Sequence, residues 1–335
     1  MTELIKGIYR LKIPLSIEIK GNTFGYVNTY LIPGNSGYLI VDPGMNTDNA
    51  LATLKNQLAE IGADFKDISR IIVSHFHPDH GGIVGTLQQL TRAKFLIHSL
   101  ENYFTYSENP QVANPLQKMS ELLRENGAPV EKLSKAHMVL MKLNEFVAPV
   151  HSDVLLQGGE IISTGLFTFQ VLWTPGHSPG HICLYEKDKK ILLSGDHILP
   201  TITPNIGLHN RSDANPLDDY IHSLNILKPL DVDIILPAHE NPFTGLTTRI
   251  DELTQHYEKR KADILTTITT SPKTAYQICE GITWQKDVGG TSWHRLSSFD
   301  KRLAVMETLA HLKSMHIDGK VEKFSRDSIL YYKAI

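Results

Sequence analysis

Residues 75 to 80 read His-Phe-His-Pro-Asp-His. Three imidazoles and one carboxylate within six positions form a donor set that suits zinc, or another first-row divalent ion, far better than calcium or magnesium. An isolated histidine is ordinarily a satisfied core or surface residue. Four titratable groups packed this densely are another matter, because burying them without a metal would be costly. The run before them, Arg70-Ile71-Ile72-Val73-Ser74, is β-branched and apolar, the pattern of a buried strand. Gly81-Gly82 follow, then a helix-compatible stretch from Ile83 to Leu90. The cluster therefore sits on a strand-to-helix turn, where His75, His77, Asp79 and His80 can converge on one point. The helical zinc motif HExxH does not describe it, since no Glu separates the histidines and their spacing is not that of a helix face.

Three later segments repeat the order of apolar strand, short turn, then His or Asp. Phe169 to Trp173 leads into Thr174-Pro175-Gly176-His177, Lys190 to Ser194 into Gly195-Asp196-His197, and Asp233 to Leu236 into Pro237-Ala238-His239. Each donor lies at the end of a strand, where α/β scaffolds build their sites.

With HFHPDH, TPGHSPGH, SGDH and PAH in this order, the chain resembles the metallo-β-lactamase superfamily over roughly residues 5 to 248. The resemblance implies one metal held by His75, His77 and His177, a second held by Asp79, His80 and His239, and Asp196 bridging the two. All seven positions match, which sets the chain apart from the mononuclear iron and flavodiiron branches, whose patterns replace some donors. It further implies an α+β fold, the four-layer αββα sandwich. Asp42, in Val41-Asp42-Pro43-Gly44, resembles the family's structural aspartate, with a hydrogen-bonding role rather than ligation. His181, His197 and His209 flank ligands; bracing the ligands or touching substrate is one reading, ordinary loop histidines the other.

Such a ligand set points to metal-assisted hydrolysis. Two divalent ions about 3.5–4 Å apart share a water whose pKa falls from 15.7 to near 7, and they polarise a carbonyl or phosphoryl oxygen. The expected cofactors are two divalent ions, zinc first, with iron or manganese as alternatives. Asp79, both ligand and base, is the candidate catalytic residue for orienting the nucleophile or relaying its proton.

At 335 residues, one large and one small domain are expected: a catalytic domain over 1–248 and a C-terminal domain over 249–335. The formal charge of −3 gives no general polyanion-binding signature. Cys183 and Cys279 lie far apart, so no disulfide framework is expected. The first residues lack a secretory apolar region and no 18-residue apolar run occurs. A soluble cytoplasmic protein without membrane contact follows as the expectation.

Short β runs (9–13, 26–32, 38–41) precede a helical stretch over 48–61. Residues 100–150 then interrupt the alternation as a helical insertion: Met119, Leu122 and Leu123 share one stripe, and Met138, Met141, Leu143 and Phe146 form another apolar group. A lid or acyl-binding wall is one reading; packing on the sandwich edge or on a second subunit is the other. The loop 198–206 is expected to border the pocket.

Beyond Arg249 the pattern predicts helices over 253–268, 275–279 and 299–315, then a hairpin of 320–324 and 329–333 around Ser325 to Ser328. This resembles the winged-helix-like domain appended to part of the superfamily, including a β-lactamase-like endoribonuclease. Residues 251–335 hold 13 Lys or Arg and 11 Asp or Glu, too balanced for a concentrated phosphate-binding patch. Packing or homodimerisation is the expected role, nucleic-acid binding the alternative. Trp284, Trp293 and His294 either reach the site's mouth or form this unit's core. The leading reading is a dinuclear hydrolase in which a metal-bridging hydroxide attacks a small thioester, ester or lactone. A metal-dependent endoribonuclease or phosphodiesterase is the alternative, and a non-catalytic ligand sensor the third.

Overall fold

The β runs pair into two facing sheets. A computed structural model describes residues 1–15, 25–104, 115–129, 145–208, 215–284 and 290–335. The first sheet has seven strands in chain order: β1 (Thr2–Ile5), β2 (Ile8–Pro14), β3 (Tyr26–Gly34), β4 (Gly37–Val41), β5 (Ile68–Ile72), β6 (Lys94–His98) and β7 (Val154–Leu156). β1 to β4 are antiparallel neighbours; β4 to β7 run parallel. Parallel pairs need crossovers. These are α1 (Asp48–Glu60), the pair α2 (Pro78–Gly81) and α3 (Val84–Leu90), and the insertion holding α4 (Pro115–Glu125).

The second sheet takes β8 (Ile161–Ser163), β9 (Thr168–Trp173), β10 (Ile182–Glu186), β11 (Ile191–Gly195) and β12 (Ile234–Pro237). Only β11 and β12 pair in parallel, joined through α5 (Pro216–Leu227). Every residue of β10 and β11 is buried, which explains why both read as nearly unbroken apolar runs.

Three apolar layers follow from this order. Leu54 and Leu58 of α1 and Leu87 of α3 pack with Ile40 and Ile71 on the outside of the first sheet. Tyr30, Ile72, Val171, Leu184 and Leu193 fill the space between the sheets. Leu192 and Ile235 meet Leu217, Tyr220 and Leu224 of α5 on the far side. The result is the mixed α/β sandwich expected from the motifs.

Helix α6 (Leu246–Ile268) starts seven residues before the expected 253 and crosses the 248/249 division without a break. Its Leu246, Ile250, Leu253 and Tyr257 belong to the sandwich cluster, whereas Ile264 and Ile268 belong to a fourth cluster. That cluster gathers α7 (Ala275–Glu280), α8 (Ser298–Ile317) and the hairpin of β13 (Val321–Arg326) and β14 (Ile329–Ala334). Thr274 caps α7: its hydroxyl accepts from Gln277 N (3.2 Å), and the Gln277 side chain accepts from Thr274 N (3.0 Å). The hairpin turn is tighter than the sequence suggested. Ser325 and Arg326 pair within β13, leaving Asp327 and Ser328, both at positive φ (49° and 63°), as a two-residue turn.

Among the described residues, the helix of the insertion packs on the C-terminal unit rather than on the sandwich edge. Leu123 joins the fourth cluster, with Met119 and Leu122 packed on it. Tyr332 Oη donates to Asn126 Oδ1 (2.9 Å) and Tyr276 N to Asn126 O (3.1 Å). Met138, Met141 and Leu143 lie outside the described residues; Phe146 packs on the cluster outside the first sheet. Trp284 and Trp293 are buried in the fourth cluster, which settles them as core, while His294 is exposed.

Candidate metal centre

Four strand ends deliver the seven predicted donors to one place. His75 and His77 follow β5, with Phe76 turned into the apolar cluster between them. Pro78, at the first position of α2, fixes the entry to the helical turn that carries Asp79 and His80. His177 lies in the turn after β9, Asp196 directly after β11 and His239 two residues past β12. Gly176 holds φ at +136°, and a Cβ there would lie 2.4 Å from that of Tyr220, so only glycine lets this turn close on α5.

Two donor groups form. In the first, His75 Nε2 lies 2.7 Å from His77 Nδ1, and His177 Nε2 lies 3.2 Å from each. In the second, His80 Nε2 is 3.6 Å and His239 Nε2 3.4 Å from Asp79 Oδ2. Asp196 stands between them. Its Oδ2 is 3.4 Å from His80 Nε2 and 3.7 Å from His177 Nε2, and its Oδ1 is 3.5 Å from His239 Nε2.

The first group's protons decide whether a cation fits. Ser74 N and Oγ donate to Asp42 Oδ1 and Oδ2 (2.7 and 2.8 Å), so Ser74 Oγ is an acceptor toward His75 Nδ1 at 3.1 Å. His177 Nδ1 faces the Asn205 carbonyl at 3.0 Å, which only accepts. Both rings therefore carry their proton on Nδ1, and two Nε2 lone pairs meet at 3.2 Å. With both rings neutral, as their burial favours, no placement of protons satisfies that contact, whereas a shared cation would. Tetrahedral zinc with bonds of about 2.0–2.1 Å holds neighbouring nitrogens about 3.3 Å apart. In the second group the fully buried His80 faces three carboxylates, Asp42 Oδ2 at 3.2 Å from its Nδ1 and Asp196 and Asp79 Oδ2 at 3.4 and 3.6 Å from its Nε2, an arrangement that either a proton or a divalent ion at Nε2 would serve.

Charge follows the same division. Burial, with the neighbouring imidazoles, holds His75 well below the usual histidine range and brings His77 down to about 3. Burial opposes charge on His80 too, but Asp196 and Asp79 outweigh it and push His80 well up. His239 is raised against its burial by the same two carboxylates. Burial likewise resists ionisation of Asp79 and Asp196, yet His80 and His239 hold both below the ordinary carboxylate range. The first group is thus a set of neutral imidazoles ready to ligate; the second keeps protons that a divalent ion would displace.

Residues 22–239 match the family model described as "Metallo-beta-lactamase superfamily". The chain belongs to that superfamily. The protein named "Probable metallo-hydrolase YqjP" from Bacillus subtilis is 26% identical over 339 residues, covering 98% of both chains. The crystal structure of the metallo-beta-lactamase family protein TTHA1429 from Thermus thermophilus superposes with a TM-score of 0.83 at 28% identity, covering 99% of this chain and 100% of that one. A beta-lactamase domain protein from Burkholderia ambifaria shares the fold, with a TM-score of 0.84 at 24% identity over 100% and 94% of the two chains. As a member of the metallo-β-lactamase superfamily with a full-length metallo-hydrolase relative, the protein is a metal-dependent hydrolase. No helix among the described residues is long and apolar enough to cross a membrane.

Around the seven donors the superfamily member places several residues as expected and others not. Asp42 hydrogen-bonds rather than ligates: besides Ser74, its Oδ2 lies 3.2 Å from His80 Nδ1. Its φ of 51° is a strained conformation for a non-glycine residue, held by Thr29 Oγ1 donating to its carbonyl at 2.6 Å. His181 braces the centre: Asp196 N donates to its Nε2 (3.2 Å), and its Nδ1 meets Thr174 Oγ1 (2.9 Å). His197 is buried against Tyr220 (centroids 4.6 Å apart) rather than lying in an exposed loop, and neither of its ring nitrogens has a hydrogen-bond partner among the described residues. His209 lies outside the described residues.

Glu101 went unread in the sequence. Its carboxylate, 1% exposed, accepts from Gly180 N (Oε1, 2.6 Å) and Phe76 N (Oε2, 3.2 Å), tying the turn of His177 to that of His75 and His77. The signal was present: Phe95-Leu96-Ile97 is another apolar strand, followed by His98 and Glu101 in the next turn. Glu101→Ala removes the acceptor of two buried N–H groups. Urea unfolding is expected to show about 2–5 kcal/mol of destabilisation, and a loss under about 1 kcal/mol would deny the clamp.

Proposed function

We propose that the protein is a dinuclear metal-dependent hydrolase of a small thioester, ester or lactone. The observation that carries this reading is the pair of donor groups with Asp196 facing both. His75, His77 and His177 would hold one ion, Asp79, His80 and His239 the other, with Asp196 between. Two bound ions, zinc in the first instance with iron or manganese as alternatives, would supply Lewis acidity and a water ionised near neutral pH.

The remaining work falls to the chain. Asp79 and His77 are the two donors of the seven that are only partly buried, and the ionised Asp79 carboxylate would be able to accept or return a proton there. Ser74 and Asn205 fix the tautomers of His75 and His177. No Lys or Arg occurs in the turns 74–82, 174–182, 195–208 and 237–244. Arg249, close behind, is committed to the carbonyls of Leu199 and Ile202. A phosphodiester would lack a cationic side chain in these turns, which favours an uncharged acyl group. Cys183 and Cys279, free and buried in different clusters, suit a reducing cytoplasm.

The test is turnover. Protein loaded with two equivalents of zinc is incubated with a panel of small thioesters, esters and lactones, and separately with single-stranded RNA and a phosphodiester. Hydrolysis of an acyl substrate that chelation abolishes and zinc restores is the expected result. Cleavage confined to the phosphodiesters would replace this reading with a nuclease one, and no turnover on either set would end both.

A further inference from the structure

Among the described residues, Asn205 links the C-terminal helices to the candidate metal centre. His177 Nδ1 is held by the backbone carbonyl of Asn205 at 3.0 Å, in the loop after Asp196. The Asn205 side chain reaches the other way: its Nδ2 donates to Glu307 Oε2 (3.1 Å) on α8, with the Leu303 carbonyl at 3.5 Å. Glu307 Oε1 lies 3.5 Å from Nε of Arg260 on α6, whose guanidinium is 5% exposed. Arg260 in turn donates to the Thr283 carbonyl (3.1 Å) and lies over the Trp284 ring at 4.5 Å. An unbroken series of contacts thus runs from the buried core of the C-terminal unit to a ring nitrogen of a candidate ligand.

The same loop has other anchors that do not lead to His177. Tyr257 Oη donates to the Pro204 carbonyl (2.6 Å), Arg249 holds Leu199 and Ile202, and Leu208 N donates to Met306 O (2.9 Å). These fix where the loop lies. Among the described residues, it is the Asn205 side-chain amide that ties to α8 the residue whose carbonyl meets the imidazole.

We propose that Glu307 is a positioning residue for the metal centre: by holding the Asn205 amide it aims the Asn205 carbonyl at His177, so that α8 completes a site otherwise built by the sandwich. This rests on the metal-binding reading above. Groups that orient a ligating histidine through its other nitrogen typically change metal affinity about 10–100-fold when removed.

The experiment measures ion affinity of the full chain by competition with a chromophoric chelator, using zinc, alongside urea unfolding. Glu307→Ala is expected to weaken binding of one ion about tenfold or more. Glu307→Gln, which keeps an acceptor oxygen, should recover most of that loss. Asn205→Ala should reproduce it, and the double variant should be no weaker than either single one, because both break the same link. Tyr257→Phe is the control for loop anchoring alone: stability falls and affinity stays. Wild-type affinity in folded Glu307→Ala, or additive losses in the double variant, would overturn the proposal while leaving the hydrolase reading intact. Should Glu307→Ala not fold, Glu307→Gln and Asn205→Ala decide by the same comparison. A wild-type chain that binds no zinc would overturn both.

Discussion

Asp196→Ala is expected to lower the bound metal from about two ions per chain to about one and to reduce turnover about a thousandfold or more, some 4 kcal/mol of transition-state stabilisation. No other carboxylate among the described residues meets nitrogens of both groups: Oδ2 faces His177 and His80, and Oδ1 faces His239. Alanine leaves those imidazoles in position and takes away the one anion between them. Elemental analysis gives the stoichiometry, and circular dichroism shows whether the sandwich persists. Retention of two ions with turnover within about tenfold of wild type would remove Asp196 from the bridging role.

Chelation should be nearly as consequential for stability. Each ion at a thousandfold excess over its dissociation constant contributes about 4 kcal/mol, which for a chain of this size is a drop of about 6 °C in Tm for each ion stripped. The metal-free protein should also become acid-sensitive. His77 and His197 sit near 3, and His75, His177 and His181 are lowered by burial, so the folded state refuses protons that the unfolded chain accepts near pH 6.5. The unfolded state then binds more protons, and stability falls as pH drops through that value, by about 1.4 kcal/mol per pH unit for each such proton. His80 and His239 act with the opposite sign. Their contribution is fully present below pH 6.5 and is lost as pH rises through their raised folded values. Asp79 and Asp196 stabilise above the unfolded carboxylate range and lose that contribution only as pH falls below it. Between about pH 7 and 5 the neutral imidazoles therefore dominate. Urea unfolding in chelator at about pH 7 and about pH 5.5 should show a fall of several kcal/mol; equal stabilities would contradict the protonation pattern.

The sequence made the ligand turns legible because each donor follows an apolar strand within a few residues, a local pattern. The layers followed from the same runs, and the buried strands β10 and β11 were visible as near-continuous apolar stretches. What escaped was set at long range. Asn126 and Tyr332 are 206 residues apart, and no periodicity announces that the stripe of Met119, Leu122 and Leu123 belongs to the C-terminal core rather than to a lid. Glu101 and Asn205 act through backbone groups of distant turns, which residue type alone does not reveal. The start of α6 was missed because Thr247-Thr248 are weak helix formers and Gly245, at φ 87°, offers no side-chain cap. Ser325 and Arg326 look like turn residues, yet Asp327 and Ser328 alone take the left-handed conformation there.

One helix of 23 residues serves two apolar clusters, its first half buried in the sandwich and its last turns in the unit beyond. A rod shared this way couples the two clusters along one continuous backbone. Melting either cluster frays the other's wall, so the chain should come apart in one step, and trimming it at residue 248 would strand Ile250, Leu253 and Tyr257 on the discarded side.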